Sequence, residues 1–297
     1  MLVPKPLPRS KPGRLPERKR VTAILGFNCT DGILLLADTE EVIGDVKSQC
    51  EKLADVLLPN GVAIMGGAGN SHSIEYAVFR ARQRLMQHPC GDWAKIHNQL
   101  NDFAKSIVME TITPYKGFDW HVVPTIEMLI ALYSMSGRIG LFQWENNVVR
   151  QITGPSASIG AGVVQMHPML SDLQDVKYNP YSVTGSVRAM LFHGVRIMRR
   201  TKRLVRDCGK RTEAMALMGN GARHTFGVRE LERLEKLVED FEQYTTTTML
   251  AQLVCWDISD QEFEKHVADV PSAIKEFRRQ FDDIIKPSTF QTSTGQP

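Results

Sequence analysis

The chain has 297 residues, a formal net charge of +3 and a hydrophobic content of 42%. A charge so near balance gives no reason to expect a nucleic-acid partner. No window approaches the ~18 consecutive apolar residues of a membrane span, so no membrane association is expected. Five cysteines (Cys29, Cys50, Cys90, Cys208 and Cys255) are dispersed without CxxC spacing. An odd, scattered set of this kind fits a reducing, cytoplasmic setting better than a disulfide framework.

Residues 1–20 hold five prolines and seven Lys/Arg against one Glu. Proline at that density breaks helices and the charge opposes burial, so a disordered basic leader is expected. From Val21 the texture changes. The runs "VTAILGFNC" and "ILLLADTEE" flank "TDG", and "EKLADVLL" and "VAIMGG" flank "PNG", which predicts two hairpins. Their near-continuous apolarity implies strands covered on both faces.

The period then lengthens. Ile74, Val78, Ala81 and Leu85 fall at helical spacing after a capping Ser71, and Trp93, Ile96, Leu100, Phe103 and Ile107 follow a capping Asp92. Strands return in "TIEMLIALYS", "RIGLFQW" and "NVVRQIT". Helices are expected over about 162–173 and 182–205, then a strand "EAMALMG", a charged helix from Arg229 to about Tyr244, and a further helix after Ser272. Two helical layers enclosing two packed sheets satisfy this order, an α+β, four-layer αββα sandwich. The expected organisation is a leader (1–20), a core domain (21–229) and a charged helical extension (230–297).

Seven landmarks then line up: Thr22, Gly26, the Asp31–Gly32 turn, Asp38 ending "LLLAD", Gly44, Lys52 and Gly67. In order and spacing they resemble the β-type subunits of the proteasome, members of the N-terminal-nucleophile (Ntn) hydrolases. Thr22, Gly26 and Asp38 align without a gap. Reaching Lys52 needs a short deletion, and Lys47 is its competitor. "SIGAGVVQMHPML" resembles the family's glycine-rich strand-to-helix turn, with Ala161 where a supporting serine is usual, and "LVRDCG" makes Asp207 the candidate for a supporting aspartate. The resemblance covers roughly residues 21–227.

What it implies is a threonine-type peptidase. A threonine hydroxyl needs a base to become a nucleophile. As a first residue it has one in its own α-amine, whose unperturbed pKa is roughly 7.7–8.0. Lys52 would favour the alkoxide, Asp38 would orient Lys52, and the Gly67 N–H would face the oxyanion, where a donor is worth roughly 3–4 kcal/mol. Met65 would floor an apolar substrate pocket, with Gly69 beside it. The implied partners are a peptide or unfolded-protein substrate and further copies of the chain in a homo-oligomeric ring or cylinder. A regulatory ATPase is left open, and no cofactor or metal is implied.

The same residues permit plainer readings. Asp38 and Lys52 also suit a structural ion pair, and a strand threonine is an ordinary β-former. His88, Cys90 and His97 fit no common zinc spacing. The helix that carries the basic run "RIMRRTKRLVR" also has an apolar stripe (Val187, Leu191, Val195, Met198, Val205), which suggests a solvated or intersubunit face. Two other functions stay open: an inactive structural or binding subunit, and a small-amide Ntn amidohydrolase. With a leader attached the Thr22 nitrogen is an amide, which accepts no proton. Valine can be encoded by GTG, an alternative bacterial start codon, so translation from codon 21 as Met-Thr is the expected route to a free amine.

Overall fold

The computed structural model describes residues 22–43, 46–85, 93–115, 125–145, 147–174, 185–205, 208–245 and 259–286. The strands are β1 (Ala23–Asn28), β2 (Gly32–Asp38), β3 (Glu40–Ile43), β4 (Val46–Gln49), β5 (Leu53–Leu58), β6 (Gly61–Gly69), β7 (Ile126–Ser134), β8 (Arg138–Glu145), β9 (Val148–Ile152), β10 (Ser156–Gly160), β11 (Thr212–Met218) and β12 (Arg223–Thr225). The helices are α1 (Ser71–Leu85), α2 (Trp93–Thr111), α3 (Val163–Gln174), α4 (Val187–Leu204), α5 (Val228–Gln243) and α6 (Asp260–Ile284).

Among the described residues two five-stranded antiparallel sheets form, ordered β10-β1-β2-β11-β12 and β5-β6-β7-β8-β9, with β3-β4 as a separate ribbon. Strand alternation divides the core into three layers. Ala23, Leu25, Phe27, Leu34 and Leu36 face α3, α4, α5 and α6, in a cluster that includes Met166, Leu191, Leu234 and Ile284. The intervening Ile24, Ile33, Leu35 and Ala37 meet Leu53, Ile64, Leu129 and Leu141 of the second sheet. On that sheet's far face Ala63, Met65, Met128 and Trp144 pack beneath α1 and α2. The αββα sandwich expected from the sequence is the observed architecture.

Local chemistry departs from the sequence reading at several points. Asn70, rather than Ser71, caps α1: its Oδ1 accepts the Ser73 N–H at 3.0 Å. The polar β3–β4 ribbon and short β12 carry no apolar run and were not expected. α4 starts at Val187, where Ser186 accepts the Ala189 N–H and the Asp31 carboxylate accepts the Val187 N–H at 2.7 Å. α6 begins at Asp260 and runs through Pro271, which costs one backbone hydrogen bond without ending the helix.

The expected boundary at 229/230 falls inside α5, whose Leu231, Leu234, Leu237 and Val238 belong to the core beneath the first sheet. Asp92 and the leader lie outside the described residues. The basic run on α4 stays partly solvated, with several of its cations paired to acidic side chains of α5. Arg196, Arg199 and Arg200 all pair with Glu242, and Lys202 pairs with Glu235.

Candidate active site

β1 and β2 form a hairpin whose open end carries Thr22 and Asp38. Thr22 immediately precedes β1, and Asp38 is the last residue of β2. Both are buried, at 8% and 0% exposure. A bare carboxylate in such a place would be costly, and the fold meets that cost with donors from four segments. The Ala23 N–H donates to Oδ1 at 2.7 Å, while the Glu40 and Gly209 N–H groups donate to Oδ2 at 3.2 and 2.8 Å. The fourth segment supplies Lys52, whose Nζ lies 3.0 Å from both carboxylate oxygens.

The same ammonium donates to Thr22 Oγ1 at 3.2 Å. Lys52 is 7% exposed, so the pair acts through little intervening water. An ammonium anchored on a carboxylate and aimed at a hydroxyl favours loss of the hydroxyl proton. The arrangement can support a threonine alkoxide.

Thr22 is also held by its backbone. Its carbonyl accepts the Gly162 N–H at 3.4 Å, and β1 pairs with β10 from Ala23 opposite Gly160. Gly160 has φ +88, and a Cβ there would stand 2.1 Å from the Thr22 carbonyl oxygen. Only glycine suits that conformation and that approach. Ala161, half-buried in the following turn, offers no hydroxyl.

Three other expected site residues, Met65, Gly67 and Gly69, lie on β6. The β5–β6 register pairs Leu53 with Gly66, so one step further Gly67 comes level with Lys52. A Cβ on Gly67 would stand 2.4 Å from Ile74 of α1, so the strand-to-helix packing there is close. Met65 is fully buried in the cluster under α1 and α2. Gly69 closes β6 with φ +125, and a Cβ would meet the Thr125 carbonyl at 2.0 Å, which gives this glycine a backbone reason to be there. Asp207 lies outside the described residues. Lys47 sits on β4 opposite Val42, and its side chain likewise lies outside them.

Of the histidine–cysteine trio, His88 and Cys90 are outside the described residues. His97 donates from Nε2 to the Val149 carbonyl at 2.9 Å. Among the described residues no cluster of three His, Cys, Asp or Glu side chains could hold a metal. Nor is any described helix long and apolar enough to cross a membrane.

Sequence reasoning missed Glu213. Its Oε1 accepts the N–H groups of both Lys52 and Leu53, at 2.5 and 2.9 Å. Burial pushes its carboxyl up to about 7, and the two backbone donors only partly oppose the shift. The available signal was a carboxylate standing in the apolar strand "TEAMALM".

No protein-family model matches the chain, and no curated protein is recognisably similar to it in sequence. Solved structures do match. Anbu (ancestral beta-subunit) from Yersinia bercovieri superposes with a TM-score of 0.59 at 14% identity, covering 74% of this chain and 97% of that one. An Anbu (Gly-1) mutant from Hyphomicrobium sp. strain MC1 gives 0.60 at 14% identity, covering 76% and 97%. The helical assembly of the Anbu complex from Pseudomonas aeruginosa gives 0.57 at 12% identity, covering 74% and 94%. At these identities the likeness is one of fold: the chain has the proteasome-like αββα fold of the Anbu proteins.

Proposed function

We propose that the protein is a threonine-type peptidase of a self-assembling, proteasome-like particle, with Thr22 as its nucleophile. One observation carries the reading: a buried lysine bridges Asp38 and the Thr22 hydroxyl, at 3.0 and 3.2 Å. With a free α-amine at Thr22, Oγ1 attacks the scissile carbonyl and its proton passes to that amine. The amine then protonates the leaving amide nitrogen. The resulting threonyl ester is cleaved by water, which regenerates the hydroxyl. Lys52 stabilises negative charge on Oγ1 during attack, and Asp38 fixes the lysine. The Gly67 N–H is proposed for the oxyanion, Asp207 for a supporting contact, and Met65 with Gly69 for the substrate side.

The fold shared with Anbu, and the helical assembly described for the Pseudomonas aeruginosa protein, support a homo-oligomer. They add a helical arrangement to the ring or cylinder expected from the sequence. Ala161, in place of a supporting serine, favours a second reading: a subunit of the same fold that no longer hydrolyses peptides. A peptide epoxyketone incubated with the Thr22-terminated protein separates the two. Covalent labelling at Thr22 supports the peptidase, and an unlabelled protein supports the inactive subunit.

A further inference from the structure

We infer that Glu213 is the positioning residue for Lys52, acting from the opposite sheet on the backbone that carries the lysine side chain. The inference rests on the reading of Thr22, Lys52 and Asp38 as a hydrolytic centre.

Two N–H groups bracket the Lys52 α-carbon, its own and that of Leu53, and one oxygen of Glu213 accepts both. A shared acceptor on both sides of one α-carbon restricts the backbone torsions there, and with them the direction of the Cα–Cβ bond. Lys52 has a long, flexible stem, so a fixed origin and a fixed end are both needed to hold its ammonium in place. Asp38 fixes the end and Glu213 fixes the origin.

The two anchors are neighbours by register. On the β2–β11 pair, Thr212 lies opposite Asp38 and Glu213 opposite Ala37. Alternation sends them to opposite faces. Thr212 Oγ1 donates to Glu235 of α5 at 2.6 Å, on the helix side. Glu213, like Ala37, faces the gap between the sheets, toward the start of β5. That gap is otherwise lined by aliphatic side chains such as Ile24, Leu35 and Leu53. A carboxylate in such a layer is expensive unless its hydrogen bonds repay it. The bonds Glu213 makes are to the two N–H groups that set Lys52.

The test compares Glu213→Ala and Glu213→Gln with wild type, each as the full assembly with Thr22 exposed. It reads kcat and KM on a fluorogenic oligopeptide and the inactivation rate by a peptide epoxyketone. Loss of the acceptor in the Ala variant should lower kcat by roughly 10- to 100-fold, as a misplaced catalytic group does, with KM nearly unchanged. Gln keeps an acceptor oxygen and should stay within about threefold of wild type. Wild-type kcat in Glu213→Ala overturns the inference, as does equal loss in both variants. A wild-type protein that neither turns over nor takes the probe instead overturns the peptidase reading. In that event the crystal structure of Glu213→Ala decides the positioning claim. Departure of Lys52 Nζ from hydrogen-bond reach of Thr22 Oγ1 supports it, and retention of the 3.2 Å contact overturns it.

Discussion

Lys52 donates to both oxygens of the fully buried Asp38 at 3.0 Å, across 14 positions of sequence that include the whole β3–β4 ribbon. The pair is dry, yet Asp38 has three further backbone donors. Removing the lysine therefore leaves a buried carboxylate still partly satisfied. Lys52→Ala should cost about 3 kcal/mol, the lower end for a broken buried pair, and should abolish hydrolysis. Thermal unfolding and peptide turnover measure the two effects separately. Lys47→Ala should leave turnover intact, and a lethal Lys47→Ala would mean that the catalytic lysine has been misassigned.

Thr22→Ala should remove activity at a stability cost of about 1–2 kcal/mol, because the buried side chain gives up a methyl group and the hydroxyl that accepts from Lys52. Circular dichroism and light scattering should match wild type. Loss of assembly in this variant would make Thr22 structural.

Gly160→Ala places a methyl group 2.1 Å from the Thr22 carbonyl oxygen at φ +88. The expected cost is about 1–3 kcal/mol of backbone strain, together with displacement of Thr22. Epoxyketone labelling should fall steeply in the folded variant. Wild-type labelling would show that the β1–β10 contact does not position the nucleophile.

Glu213 has its carboxyl raised from 4.5 to about 7, chiefly by burial. A carboxyl raised on folding binds its proton more tightly in the folded state. Its contribution to stability is full below the unfolded value of about 4.5, and it is lost as pH rises through about 7. Relative to Glu213→Gln, wild type should lose roughly 3 kcal/mol between pH 4.5 and 8. Urea unfolding of both proteins across that range reads the difference directly. Parallel pH profiles would contradict the assignment.

Glu242 joins three arginines of α4 to α5. Burial pushes its carboxyl up, but Arg196, Arg200 and Arg199 together hold it below its ordinary value. The stability it contributes is present above the unfolded pKa and is lost as pH falls through the folded one. Glu242→Gln should cost about 1–2 kcal/mol at neutral pH, between the exposed and buried ion-pair limits, and added salt should narrow the gap. A thermal melt of both proteins at two ionic strengths tests this.

The hairpin carrying Thr22 and Asp38 was legible in the sequence because β1 and β2 are apolar on both faces and bracket a turn. Both faces are apolar because one meets helices and the other meets the second sheet. Lys52 was legible only through its resemblance to a known pattern. Nothing local distinguishes it from Lys47, since its contacts with Asp38 and Glu213 are made to other strands. Backbone donors such as Gly209 carry no side-chain signal at all. The acidic cover on the α4 arginines was hidden for a related reason: α5 reads as a charged, separable helix until its leucine stripe is seen in the core.

Whether Thr22 acts as an N-terminal nucleophile is read by intact-mass analysis of natively expressed protein after incubation with a peptide epoxyketone. A species that begins at Thr22 and carries one probe is expected. A species that retains the 21 preceding residues, or one that begins at Thr22 and takes no probe, would contradict that role.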